Sequence, residues 1–263
     1  MKKLISAATV AGAFLIAPQA SAEIAGFEFE VGGYAWYTDL TGEISGAGTS
    51  VELGNDGIRM DSRVNGNVYV SLEHPVPIVP NVRISHTFLK NEGSGRAVFS
   101  TFPFDVSKGA IDISHTDLTL YWTPVDLGFF AWDIGASARI FSGSLEFTGE
   151  FPPGTVGPDP ISTSAKSDIN PTYGLLYTNF DFQLPITGLG IQVELTGGTN
   201  GKETAIDSTA KIEYTSIVGI GTALGYRYLD VDLESEASVG NASQSIKYKL
   251  DASGPFLSLY YRL

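Results

Sequence analysis

The chain contains no cysteine, and that absence removes disulfides, thiol catalysis and thiolate metal ligation together. Basic residues are scarce: 16 Lys and Arg stand against 29 Asp and Glu, a formal net charge of −13. The clustered positive charge that holds nucleic-acid phosphates is therefore missing, and no nucleic-acid partner is expected. Past the N-terminus no apolar run approaches the roughly 20 residues of a membrane-crossing helix. If the chain enters a membrane it must do so as a closed barrel, because only helices and closed sheets satisfy every backbone polar group in hydrocarbon. Also lacking are G-x-S-x-G, H-E-x-x-H and a phosphate-binding glycine loop, so neither an enzyme motif nor a cofactor is expected.

What is present starts with "MKKLISAATVAGAFLIAPQASA": two lysines, an apolar stretch, then small residues. This is the pattern of a secretory signal peptide cleaved after Ala22, with Ala20, Ala22 and Glu23 marking the site. Gly12 and Pro18 interrupt its apolar run, which argues against a permanent anchor. Residues 1–22 are thus assigned to the signal and residues 23–263 to one β domain. The 30 glycines, 12 tyrosines and 15 phenylalanines of the whole chain favour turns and strands.

Alternation with period 2 recurs along it. Phe27, Phe29, Val31, Ala35 and Tyr37 alternate with Glu28, Glu30 and Thr38, which describes a strand with two unlike faces. The same pattern returns around Val68–Leu72, Val82–Phe88, Leu118–Trp122, Phe130–Ile140, Leu176–Phe182, Leu189–Leu195, Ala210–Tyr214, Ile220–Tyr228 and Leu257–Leu263. That makes ten strands, with eight or twelve the alternatives. Brief turns near 74–80, 123–127, 185–188 and 215–219 take turns with longer polar stretches near 39–66, 90–110, 142–170, 197–206 and 231–245. Short turns at one end and long connections at the other predict an all-β, antiparallel up-and-down transmembrane barrel with both termini periplasmic. Within the longest stretch, "GEFPPGTVGPDPISTSAKSD" is too rich in Gly and Pro to be regular throughout.

A soluble sandwich or lipocalin-like barrel also alternates, with its apolar face inward. The opposite face decides between them. It mixes Gly32, Ser71, Ser85, Gly135, Ser137, Gly225 and Ser258 with charges of both signs, including Asp133, Arg139, Asp181, Glu194, Lys211 and Glu213. Small residues with opposite charges fit a crowded lumen better than a lysine-rich wet surface. Trp122, Phe130, Phe182, Tyr214 and Tyr261 gather near the short turns, where an aromatic girdle belongs, and only His86 interrupts the apolar face. The final strand, "GPFLSLYYRL", places Leu257, Leu259, Tyr261 and Leu263 on one face. This resembles the C-terminal signal through which outer-membrane barrels are recognised for assembly, although Leu263 stands where that signal usually has Phe. An unpaired edge strand of this kind is open to capture by strand addition, so the expected partners are outer-membrane lipid and the barrel-assembly machinery.

The stretches "EVGGYAWYTDLTGEISG", "LEHPVPIVPN", "LPITGL", "GYRYLDVDLE" and "GPFLSLYYRL" together resemble a family of bacterial outer-membrane β-barrel proteins named for a Gly-Gly pair, here Gly32 and Gly33. The resemblance spans nearly all of the chain after the signal. It implies the barrel fold and the outer membrane after Sec export, and it carries no catalytic residue over.

Three constellations merit weighing for chemistry. His115 and Asp117 share one side of a strand, in the manner of an omptin-like Asp/His arrangement, but the further rim carboxylates of such a site have no matching motif. A lumenal His hydrogen-bonded to an acid is the plainer reading. Asp230, Asp232, Glu234 and Glu236 alternate in "YLDVDLESE", and "LGNDGIRMDS" holds further carboxylates, yet the ordered calcium loop is absent and a solvated acidic rim is expected. Glu28, Glu30, Glu73, Arg83, His115, Asp117, Arg227 and Arg262 are the candidates for a lumen network, since buried ions require partners. The expected function is a small outer-membrane barrel without a wide pore, serving envelope structure or the binding or passage of a small or apolar ligand. The alternatives are an omptin-like outer-membrane enzyme and a soluble periplasmic β protein.

Overall fold

The computed structural model describes residues 26–46, 49–54, 57–99, 102–154, 159–239 and 242–263. The expected cleavage site at Ala20, Ala22 and Glu23 lies outside the described residues. Among the described residues, every regular element is a β-strand. In chain order they are β1 (Glu28–Gly46), β2 (Thr49–Leu53), β3 (Ile58–Met60), β4 (Arg63–Glu73), β5 (Asn81–Phe88), β6 (Lys90–Phe99), β7 (Phe102–Asp112) and β8 (His115–Asp126). There follow β9 (Phe130–Phe141), β10 (Gly143–Phe151), β11 (Ile161–Ile169), β12 (Thr172–Gln183), β13 (Leu189–Thr199), β14 (Thr204–Thr215), β15 (Ile220–Val239) and β16 (Ala242–Arg262).

Ten of them close a ring. Strands β1, β4, β5, β8, β9, β12, β13, β14, β15 and β16 pair antiparallel in that order, and β16 returns to β1. At the closure Glu30 faces Arg262 and Val31 faces Tyr261. Phe29 and Leu263 exchange both main-chain bonds, at 3.2 and 2.8 Å. No edge of the ring is left to be satisfied by water, the condition a sheet must meet in hydrocarbon.

The remaining strands heighten one side of the wall. β6, β7, β10 and β11 continue β5, β8, β9 and β12 beyond short breaks at Leu89, Ile113–Ser114, Ser142 and Asn170–Pro171, and β2 and β3 lie between β1 and β6. The stretches 39–66, 90–110, 142–170 and 231–245, expected as polar connections, are therefore largely strand. The stretch 197–206 is a second correction: it is a tight turn at residues 200–203, in which Asn200 Oδ1 accepts from the Glu203 main chain at 2.8 Å. The opposite end holds the turns at 74–80, 127–129, 184–188 and 216–219, together with the first residues of β1 and the last of β16. Strand β8 runs further than expected, through Asp126. Its register shifts between Trp122 and Val125, where Pro124 has no N–H to give the ladder.

All of the apolar faces read from the sequence point outward. Leu224 and Leu259 are each 66% exposed and Leu176 76%, and Val31, Val68, Ile84, Leu118, Ile134, Ile191 and Ile212 stand in the same belt. His86, the exception, bonds Thr116 Oγ1 on the next strand through Nδ1 at 2.9 Å. Above this belt the polarity inverts. Leu229, Val231 and Leu233 on β15, Tyr248 and Leu250 on β16, Phe141 on β9, Leu145 on β10 and Ile111 on β7 all point inward into one apolar core. The upper barrel is thus packed like a soluble protein, while the lower barrel is turned inside out.

Small inward residues leave room for large ones. A Cβ at Gly32 would sit 2.7 Å from both the Tyr69 hydroxyl and Tyr260 Cβ, so the first glycine of the Gly-Gly pair is the floor on which two rings lie. Replacing it by leucine is expected to lower stability by about 1–3 kcal/mol through overpacking. Gly174→Leu, where nothing lies within 4 Å, is expected to leave the denaturant midpoint of the detergent-folded barrel nearly unchanged.

Candidate functional site

The lumen is filled in three tiers. Nearest the turns, a cavity of about 210 Å³ is lined by Glu28, Glu30, Glu73, Asp126, Asp133 and Asp181, and by Arg83, Lys211 and Arg262, with Tyr121, Tyr177 and Phe130 among the walls. Its mouth is at the turn end, since Glu28, Asp126 and Gly128 are exposed. Arg262 reaches Glu28 at 3.1 Å and Glu30 at 2.6 Å. Lys211 pairs with Glu213 at 2.9 Å, and Arg83 with Glu194. Glu30 also accepts from Tyr69 at 2.8 Å, and Glu73 from Tyr121 at 2.8 Å.

The middle tier is a buried four-charge cluster. Arg139 donates to both oxygens of Asp117 at 2.8 Å and to Asp207 at 2.7 Å. Arg227 grips the same Asp207 through Nε at 2.9 Å and Nη2 at 2.6 Å, and donates to the Tyr34 hydroxyl at 2.6 Å. Its guanidinium lies 4.8 Å from the Trp36 ring centre. Two guanidiniums against two carboxylates leave no net charge, and planar bidentate geometry is what makes such a cluster tolerable away from water. Over it sits the apolar core, beginning with Trp36, Phe141, Tyr173 and Ile113.

The eight candidate residues all face the lumen, yet they form separate groups and not one network. Glu28, Glu30 and Arg262 meet at the turn end, Glu73 and Arg83 take partners of their own, and His115, Asp117 and Arg227 belong to the cluster or its edge. The plain reading of His115 is corrected: its bonds are not to an acid. Nδ1 meets the Ile113 carbonyl at 2.9 Å and Nε2 lies 3.3 Å from Arg227 Nη2, so the ring donates from the first nitrogen and accepts at the second. Fully buried and with both nitrogens engaged, His115 has no free atom to offer a substrate.

The residue missed from sequence is Asp207, the shared anion of the cluster. "AIDSTAKIEY" carried the signal, because Asp207 has the same parity as Lys211 and Glu213, but the strand was begun at Ala210 and not at Thr204.

No protein-family model and no curated protein matches the chain. Among solved structures, the outer-membrane protease OmpT of Escherichia coli is similar over 90% of this chain and 96% of its own, at 8% identity and a TM-score of 0.49. The outer-membrane protein OprG of Pseudomonas aeruginosa is similar over 91% and 96%, at 13% identity and a TM-score of 0.41. The toluene transporter TodX of Pseudomonas putida is similar over 94% and 93%, at 9% identity and a TM-score of 0.30. None is close enough to transfer a site, and the lumen stands on its own residues.

Removing the shared anion tests the cluster. Asp207→Ala leaves two buried guanidiniums with one carboxylate and is expected to cost about 3–5 kcal/mol. Asp126→Asn at the exposed mouth is expected to stay within about 0.5 kcal/mol. Denaturant unfolding of the detergent-folded protein, followed by tryptophan fluorescence, reads both.

Proposed function

We propose that the protein is a small transmembrane barrel of the bacterial outer membrane, exported by the Sec route, with its four tight turns and both strand ends toward the periplasm. In this reading it serves as a structural or ligand-binding element of the envelope, and neither as a diffusion pore nor as an enzyme. The observation that carries it is the joining of an apolar outer belt to a filled lumen on one closed wall. An apolar band of that extent has no stable place in water, and lipid is the solvent that fits it. Ten strands enclose far less than the 16 to 18 of the large porins, and here charge pairs and rings occupy the space. The engaged nitrogens of His115 and its complete burial support a non-catalytic role over an omptin-like one.

Leu257, Leu259 and Tyr261 are exposed on the outer face of β16 and Leu263 is exposed just past its end, which supports their reading by the assembly machinery before closure. Changing Leu257, Leu259 and Tyr261 together to serine is expected to reduce the heat-modifiable, outer-membrane fraction several-fold. An unchanged fraction removes the assembly role.

In planar bilayers the purified protein is expected to give no stable, large conductance steps. Such steps, or recovery of the native protein in the soluble periplasmic fraction, overturn the reading as a sealed membrane barrel.

A further inference from the structure

Within the ligand-binding part of that reading, the turn-end cavity has a chemistry of its own. Its three cations are already committed: Arg262 to Glu28 and Glu30, Lys211 to Glu213, and Arg83 to Glu194. Three of its carboxylates receive only neutral donors. Glu73 accepts from Tyr121, Asp133 from Thr123 at 2.7 Å and Asn179 at 2.9 Å, and Asp181 from Gln183 at 2.7 Å. Beside them Asn179, 3% exposed, lines the same cavity with its buried Oδ1 unpartnered, its Nδ2 being spent on Asp133. Among these four side chains the unfilled bonding capacity is acceptor, and the missing charge is positive.

We propose that this cavity binds a small, linear organic polycation, of the kind represented by an aliphatic triamine. A point ion fits poorly, because the acceptors do not converge: Glu73 is on β4, Asp133 on β9 and Asp181 on β12. From β4 to β9 the wall passes three strand spacings, an arc of roughly 15 Å at the usual interstrand distance. Among the described residues, no three His, Asp or Glu side chains come close enough to hold a metal ion. A flexible chain with several ammonium groups can reach separate carboxylates in turn. Its methylenes would lie along Tyr121, Tyr177 and Phe130, whose ring faces also attract cations. The mouth at the turn end admits such a molecule lengthwise, and the Arg83–Glu194 pair and the buried cluster above stop it from passing on.

Spermidine titrated calorimetrically into the folded barrel, in zwitterionic detergent at low salt, tests the assignment. Expected are one saturable site and a loss of affinity of about tenfold or more in Asp133→Asn with Asp181→Asn. Gln192→Arg, which puts a cation into the cavity wall, should abolish binding and serves if the double variant does not fold. Asp230→Asn with Asp251→Asn, which removes two acids paired across β15 and β16 on the wall's outer surface, should leave affinity within twofold. No saturable heat, equal weakening by the inner and outer variants, or displacement by magnesium at the same ionic strength overturns the proposal. Failure here leaves the sealed-barrel reading intact, since that depends on conductance and fractionation.

Discussion

The structure depends on one constraint: within the apolar belt every main-chain N–H and C=O must find its partner inside the wall. The ladder between β1 and β16 meets it by joining strands from opposite ends of the chain, from Glu30 opposite Arg262 up to Gly46 opposite Ile246. Once the ring is closed, strand number fixes the width, and width fixes what the interior can hold. Ten strands leave a lumen that side chains can fill, and this sequence fills it with rings laid over glycines and with arginines laid between carboxylates.

Closure also separates two solvents along each strand. Below, side chains pointing out are apolar and those pointing in are polar; above, the assignment is reversed. The geometry of the strand does not change at the boundary, only which face is wet. The charge cluster of Asp117, Arg139, Asp207 and Arg227 lies close to that crossing, between a hydrated cavity and a dry core. Its ions are tolerable there because each guanidinium has a carboxylate in planar contact and Tyr34, Thr87 and Trp36 complete the shell of Arg227.

Much of the architecture was legible in the sequence because a period of two is a direct imprint of a wall with unlike sides. The ten belt strands, the four tight turns and the direction of the apolar face all follow from it. The upper strands were obscured by the same rule applied too simply. A change of solvent shifts the apolar residues from one parity to the other, and a reader who expects one phase takes the shift for the end of the strand. The marks are visible in hindsight as adjoining apolar pairs, Phe88–Leu89, Ile140–Phe141 and Tyr228–Leu229, each with its first member on the outer face and its second in the core. Pairing within the lumen was less accessible. Alternation says that Arg83, Glu194 and Asp207 face inward, but which acid meets which base depends on strand stagger, and stagger leaves no local trace.

The sealed middle of the lumen has a consequence for which end of the molecule can meet a solute. With the ceiling closed by packed aliphatics and the floor open at the turns, solutes at the far rim have no line of sight to the acidic chamber. What enters it comes past the turns, so the molecule is shaped as a cup with one mouth, sampling the solution on that side of the wall alone.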